Sequence, residues 1–434
     1  MQTAFIAKID KIEFVEGANT ICRGYVLGTQ IVIGKESKVG DIGIFFPSEL
    51  QLSEEYCFEN SLFRHSNLNK DNTKKSYFED NRRVRSQPFL GIKSDGFFTS
   101  LESLSYTKYD ISKLKVGDTT TELNGKVICQ KYYNERTLRA ISNRQKQNQK
   151  KKEIKAPFFK EHLDTKQAKH YIDSIPVNSL VSIVSKSHGT SGRVSYTKII
   201  HSLNKFKSLI NKVIPIFKTE SYEYITGSRR CVLYPDKDKG KVGFHGSEQY
   251  RWDILDSLKP YLTKDMTIYF EIVGFVNGKP IMPIHDVTKL KDKRMVEKYG
   301  KSMTYKYGCK PHEYKVKIYR ITFTTQNNES IDFTQSQLED WCGKRGLFCC
   351  KPIVAPFIYD GNKENLTKLI ERLTEREDEL GEDYLDSECI LEGIVLRFDC
   401  GELTPLFLKN KNYCFKLMEG IVQEGNEIDC EEVS

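Results

Sequence analysis

The chain has 434 residues, with 67 Lys and Arg against 59 Asp and Glu for a formal charge of +8. At 38% hydrophobic and 11% aromatic residues it carries enough apolar surface for packed cores, which excludes wholesale disorder, and its length suits two to three domains. No run reaches the roughly 18 apolar residues of a membrane span, and the opening MQTAFIAKID lacks the basic and apolar regions of a secretory signal. The 12 cysteines are scattered without a CxxC or CxxxC pair, so free thiols in a reducing intracellular compartment are expected rather than structural zinc.

Residues 1–110 read as short strands broken by turn chemistry: Thr3–Ile12, Cys22–Leu27, Gln30–Ile33, Ile42–Phe46, Pro88–Leu90 and Gly96–Phe98. Strands at such short intervals predict a small closed barrel, with the polar stretch Ser66–Asp80 as a surface loop. The segment RQKQNQKKKEIK, residues 144–155, has six basic residues against one acid, and it ends a connector expected over 111–154. It reads as a solvated linker or as an arm attracted to a nucleic-acid backbone.

Beyond it, helices and strands mix without a regular alternation, which predicts an α+β domain over 155–434. Helical spacing recurs at Leu203, Phe206, Ile210 and Val213, at Tyr250, Ile254, Leu255 and Leu258, and as an acidic amphipathic helix over Asn365–Glu379. Strands are expected at Leu180–Val184, Thr267–Phe275, Lys315–Phe323, Ile390–Phe398 and Leu406–Lys411.

Four of these segments carry chemistry. Lys186 stands at the end of an apolar strand, where loss of water weakens its preference for the charged form and makes the amine a usable nucleophile. Gly189 follows, able to admit a close backbone approach, with Thr190 and Ser191 supplying hydroxyls. Glu271 and Glu392 interrupt apolar runs, where a carboxylate is costly unless it meets a cation or a donor. Lys409 and Lys411, two apart on a strand, project from one sheet face. A nucleophilic amine, two carboxylates and two further lysines suit a polyphosphate and a divalent metal.

These segments resemble, in order, the motifs of the covalent nucleotidyltransferases, which include ATP-dependent RNA ligases, DNA ligases and GTP-using capping enzymes. KSHGTS at 186–191 resembles the lysine–nucleotide motif, and GSRR at 227–230 the small motif after it. YFEIVG (269–274), KIYRI (317–321), EGIVLR (392–397) and LKNK (408–411) resemble the later ones. His188 within Lys-x-His-Gly, FKEHLDTKQ at 159–167 and the N-terminal strands are similar to RNA ligases that carry an OB-fold domain ahead of the transferase domain. Only 23 residues follow Lys411, too few for the C-terminal OB domain of DNA ligases and capping enzymes.

The resemblance implies an N-terminal OB-type barrel, then an ATP-grasp-like nucleotidyltransferase domain of antiparallel sheets with flanking helices. It implies that Lys186 takes AMP from ATP and passes it to a 5′-phosphate RNA end, which a 3′-hydroxyl then attacks. Glu392 and Glu271 would hold Mg2+ or Mn2+ or the nucleoside sugar, and Lys409 and Lys411 would offset charge on the α-phosphate. Ser191 would contact the ribose, His188 would serve the steps after lysine adenylylation, and Tyr319 would stack on adenine or lie in the core. Arg193, Arg229 and Arg230 would bind RNA, nicked or splinted, with no membrane partner. DNA ligases, capping enzymes and a catalytically dead RNA-binding module are the rival readings.

Two features depart from the pattern. Ser185 precedes the lysine where many relatives have an acid, which leaves metal binding or burial to deprotonate Lys186. The 121-residue interval from Glu271 to Glu392 is long, and the Lys-rich, Tyr-bearing stretch 277–314 is expected to be an insertion or an RNA-contacting surface.

Overall fold

The computed structural model describes residues 3–132, 154–201, 218–234, 240–290, 293–375 and 389–418, apart from positions 16–17, 19, 49, 86, 90–91, 241 and 244. The helix expected at 203–213 lies outside these residues, as do most of the 144–155 run and the end of the 365–379 helix. The chain divides into two compact units, one formed mainly by the first 138 residues and one by Arg139–Phe415. Among the described residues no helix is long and apolar enough to cross a membrane.

The first unit opens with β1 (Ala4–Lys8), β2 (Lys11–Glu13), β3 (Ile21–Val26), β4 (Thr29–Gly34), β5 (Ile42–Pro47) and β6 (Leu50–Leu52). Leu27 and Gly28 join β3 to β4 as a two-residue loop with both residues at positive φ, 49° and 66°, the twist that a tight hairpin requires. Helix α1 (Glu54–Glu59) is capped by Ser53, whose hydroxyl accepts from the Tyr56 N–H. Then come β7 (Gly96–Ser100), β8 (Thr119–Thr120) and β9 (Cys129–Lys131). One sheet has the order β8-β1-β5-β7, β2-β3-β4 form a second, and β9 pairs with β6. Residues 119–131 therefore belong to this unit, where the sequence reading has a connector starting at 111.

The stretch 66–80 is a largely irregular surface segment anchored by buried Asn69 and Phe78. Phe63 and Phe78 are buried in the unit's core with Phe46, Tyr56 and Leu104. Buried Asn69 bonds both the N–H and the C=O of Phe63, at 2.8 and 2.9 Å. A side chain of the polar stretch thus satisfies the backbone of buried Phe63.

In the second unit, β10 (Lys166–Gln167), β11 (Leu180–Ser185), β12 (Thr190–His201), β13 (Glu220–Ser228) and β14 (Val232–Leu233) precede helix α2 (Gln249–Leu258). After it come β15 (Met266–Val276), β16 (Tyr314–Thr324), β17 (Ser330–Asp332), helix α3 (Gln335–Gly343), β18 (Phe357–Ile358), helix α4 (Lys363–Glu375), β19 (Gly393–Asp399) and β20 (Leu406–Lys411). The larger sheet runs β14-β13-β12-β15-β16-β17 and the smaller β10-β20-β19-β11-β18. The pairings named here are antiparallel except β10 with β20. Helix α2 presents Tyr250, Ile254, Leu255 and Leu258 to the core of the larger sheet. Helix α4 sets Leu366, Ile370 and Leu373 against the smaller one. The unit is thus one antiparallel sheet and one mainly antiparallel sheet, each backed by helices.

Candidate active site

Lys186 is the first residue beyond β11, and its backbone N–H donates to the Gly393 carbonyl at 2.8 Å. That bond ties the end of β11 to the start of β19. Gly393 sits at φ 147°, and a side chain there would collide with the Asn410 carbonyl, 2.1 Å from the Cβ position. Glu392 stands one residue ahead of β19 rather than inside a strand, and the bond from Lys186 N–H to the carbonyl of its neighbour Gly393 brings it beside Lys186. Lys186 Nζ meets Glu392 Oε1 at 2.9 Å, while Glu392 is almost wholly buried. His188 Nδ1 lies 3.5 Å from Oε2 of the same carboxylate, and Lys411 Nζ lies 3.9 Å from Oε1.

Across the cleft, β12 pairs with β15 so that Ser191 stands opposite Glu271, and the Ser191 hydroxyl donates to Glu271 Oε2 at 3.0 Å. Gly189 is required by this approach, since a Cβ there would lie 2.3 Å from the Ile272 carbonyl. Its room is taken up by β15. The two sheets enclose a cleft of about 990 Å³ counted to its open mouth, lined by Lys186, Ser191, Glu271, Tyr319, Arg229 and Arg397 among others. Val395 also lines it, and Lys409, its register partner on β20, shares that face.

The electrostatics of the three central groups are coupled. Burial favours the neutral amine of Lys186, but the carboxylates of Glu392 and Glu271 outweigh it and hold the pKa above the ordinary lysine value. Burial alone therefore does not deprotonate Lys186. Glu392 is buried too, yet Lys186, His188 and Lys411 hold its carboxyl down to about 2. Glu271 goes the other way: burial raises its pKa to about 7, against the pull of Lys186 and Ser191. At neutral pH one carboxylate is firmly ionised and the other stands at the midpoint of its titration.

Tyr319 lines the cleft for a backbone reason. The β15–β16 register shifts between Tyr269, opposite Arg320, and Phe270, opposite Ile318. Tyr319 is the extra residue of a bulge, which turns its side chain into the cleft. Its hydroxyl meets His162 Nδ1. His162 is held neutral, its pKa lowered to about 2 by burial and by Arg193, Arg229, Arg320 and Arg251.

Arg193 is corrected. It is only 1% exposed, its guanidinium stacks on Phe159 at 4.2 Å, and it donates to the carbonyls of Phe159 and Lys160. The main chain at 159–160 covers it, so it clamps that segment and is closed to RNA. Arg229 and Arg230 are exposed after β13, with Arg229 paired to Asp164.

Sequence reasoning missed several groups. Buried Lys317, opposite Glu271 in register, donates to Ser185 at 3.1 Å and Ser187 at 3.4 Å, under the residues that flank Lys186. Arg320 and Arg397, both at the cleft, are oriented by Asp332 (2.5 and 2.8 Å) and Asp399 (2.9 Å). The motif strings contained Lys317, Arg320 and Arg397, but nothing in them distinguishes a buried cation from an exposed one.

No family's sequence profile matches the chain, and no curated protein matches it in sequence. Solved structures do match. A lysine-to-methionine variant of Naegleria gruberi RNA ligase with AMP and Mn is 15% identical, with TM-score 0.57 over 96% of this chain and 99% of that one. The chain has the fold of an RNA ligase nucleotidyltransferase. The same ligase as an arginine-to-alanine variant with ATP and Mn gives 15% identity and TM-score 0.57, over 96% and 98% of the two chains. The form with PPi gives 15% and 0.56 over the same shares. This RNA-ligase fold is what the order of motifs in the sequence implies.

Proposed function

We propose that the chain is an ATP-dependent RNA ligase that joins 3′-hydroxyl and 5′-phosphate ends through a lysyl-AMP and a 5′-adenylylated RNA. The observation that carries this reading is the Lys186–Glu392 pair with Glu271 and Ser191 opposite it, in a cleft between two sheets of an RNA-ligase fold. The first unit is proposed as an OB-type nucleic-acid-binding domain, and the residues from about 155 onward as the adenylyltransferase domain.

The neutral amine of Lys186 attacks the α-phosphorus of ATP, forming a nitrogen–phosphorus bond as pyrophosphate leaves. AMP then passes to a terminal RNA 5′-phosphate, which frees Lys186, and a 3′-hydroxyl attacks that activated phosphate and expels AMP. Lys411 and Lys409 stabilise charge on the α-phosphate. Ser191 takes the ribose, Tyr319 offers its ring to adenine, and Arg229 and Arg230 meet the RNA ends.

Among the described residues no group of three or more His, Cys, Asp and Glu could hold a metal. Two carboxylates facing a nucleotide site fit a divalent ion that shares its coordination with phosphate oxygens and water, as Mg2+ and Mn2+ commonly do. Glu392 and Glu271 would hold it. Its positive charge would counter the two carboxylates that keep Lys186 protonated.

The test is incubation with α-labelled ATP or GTP and Mn2+, followed by a denaturing gel and a nick-sealing assay. Covalent label from ATP alone, lost in Lys186→Ala, and sealing that requires ribose at the 3′-hydroxyl side are expected. Label from GTP would favour a capping enzyme, equal sealing of an all-DNA nick would favour a DNA ligase, and no label would favour a non-catalytic RNA-binding module.

A further inference from the structure

The stretch 303–310 has two kinds of residue in alternation. Met303, Tyr305, Tyr307 and Cys309 are buried, whereas Lys306 and Lys310 are exposed. The buried side faces His188. Tyr307 is almost fully buried, and its hydroxyl accepts the His188 backbone N–H at 2.7 Å. The rings of Tyr305 and Phe415 meet the His188 imidazole edge to face, each at 5.0 Å, and the His285 ring lies at 5.7 Å. Glu392 takes the remaining side at Nδ1.

Two further features belong to the same enclosure. Tyr307 holds φ at 51°, in the left-handed region that a bulky side chain rarely adopts, so surrounding structure imposes a conformation the residue would not choose alone. The segment also grips the approach to Glu392: the Cys389 thiol meets the Thr304 carbonyl at 3.4 Å, and the Ile390 N–H meets Met303 Sδ at 3.2 Å. His285 and Met303 are register partners, which closes the base of the segment.

We propose that 303–309, with His285, is a positioning element for His188, centred on the Tyr307 hydroxyl, and that it serves phosphodiester formation rather than lysine adenylylation. Tyr307 bonds His188 rather than Lys186, which is located by its bonds to Gly393 and Glu392. The His188 backbone is held by the Tyr307 hydroxyl, and its imidazole by the rings of Tyr305, His285 and Phe415 and by Glu392. Tyr307 is thus a positioning residue, acting through His188. The inference rests on the ligase reading, in which His188 works after the lysine has been charged.

Three quantities decide it: the rate of lysine labelling by ATP, the single-turnover rate and KM for sealing a pre-adenylylated nicked RNA without ATP, and the Tm. Tyr307→Phe is expected to label within twofold of wild type yet seal at least tenfold more slowly at unchanged KM. His285→Leu removes a different wall and is expected to show the same split as Tyr307→Phe. Sealing at the wild-type rate by Tyr307→Phe, or equal loss of labelling and sealing in both Tyr307→Phe and His285→Leu, overturns the proposal. His188→Ala separates the two levels: if it seals the pre-adenylylated nick normally, the assignment of His188 within the ligase reading fails. If the wild-type protein takes no label, the ligase reading itself fails.

Discussion

Glu271 and Glu392 show how one type of residue is driven to opposite states by its neighbours. Glu392 faces three cationic or polarisable partners and stays ionised, whereas Glu271 has Ser191 and a share of Lys186, and burial wins. The sign of the consequence for stability follows. Glu271 binds a proton more tightly folded than unfolded, so its contribution is complete below its ordinary value of 4.5 and is lost as pH rises through about 7. A shift of that size corresponds to about 3 kcal/mol. Glu271→Gln removes the titration, so its Tm relative to wild type should climb by several degrees between pH 5 and pH 8. A gap that stays constant over that range would refute the assignment. Glu392 contributes in the opposite window, its stabilisation present above 4.5 and lost as pH falls toward 2. Gly189 has a second reason to be glycine that the sequence does not show: strand β15 passes where its Cβ would lie.

At the scale of elements, the strands that build the cleft were legible because they are long and apolar with few interruptions. Leu180–Val184, Thr267–Phe275 and Leu406–Lys411 fall where expected, and Ile390–Phe398 is displaced only at its start, so that Glu392 precedes the strand. What stayed hidden depends on partners far apart in the chain. Tyr319 turns inward through a one-residue register shift against β15, and its bond to His162 spans 157 residues. Arg193 read as an exposed cation because a guanidinium in a strand gives no sign of the main chain that will cover it. Tyr305 and Tyr307 read as interleaved surface aromatics, although their period of two with Met303 and Cys309 is that of a strand-like inner face. The Arg320–Asp332 pair is almost fully buried on both sides and fixes β16 against β17 at the cleft. Asp332→Ala leaves a buried guanidinium without that partner and should cost about 3–5 kcal/mol in urea unfolding. A loss below about 1 kcal/mol, the range of an exposed pair, would show that the pair does not anchor the cleft.

For the whole molecule, a charge of +8 understates the local field. Lys289, Lys293, Arg294, Lys298, Lys301, Lys306 and Lys310 are exposed within 22 residues, against exposed Glu297 alone among the described acids there. On the ligase reading this face meets the RNA backbone close to the residues that hold His188. Replacing Lys289, Lys301 and Lys310 with Gln should flatten the dependence of RNA affinity on salt by about 2 in log–log slope, at about 0.7 per phosphate contact. Lysine labelling should be unchanged, and an unaltered slope would remove this face from the RNA path. On the ligase reading the Lys186 amine, held protonated by two carboxylates until nucleotide and metal arrive, becomes the carrier of AMP. Peptide mass mapping after incubation with ATP and Mn2+ tests it most directly. An acid-labile AMP adduct on Lys186, reversed by added pyrophosphate, is expected. An adduct on another residue, or none under conditions where ATP binds, would contradict it.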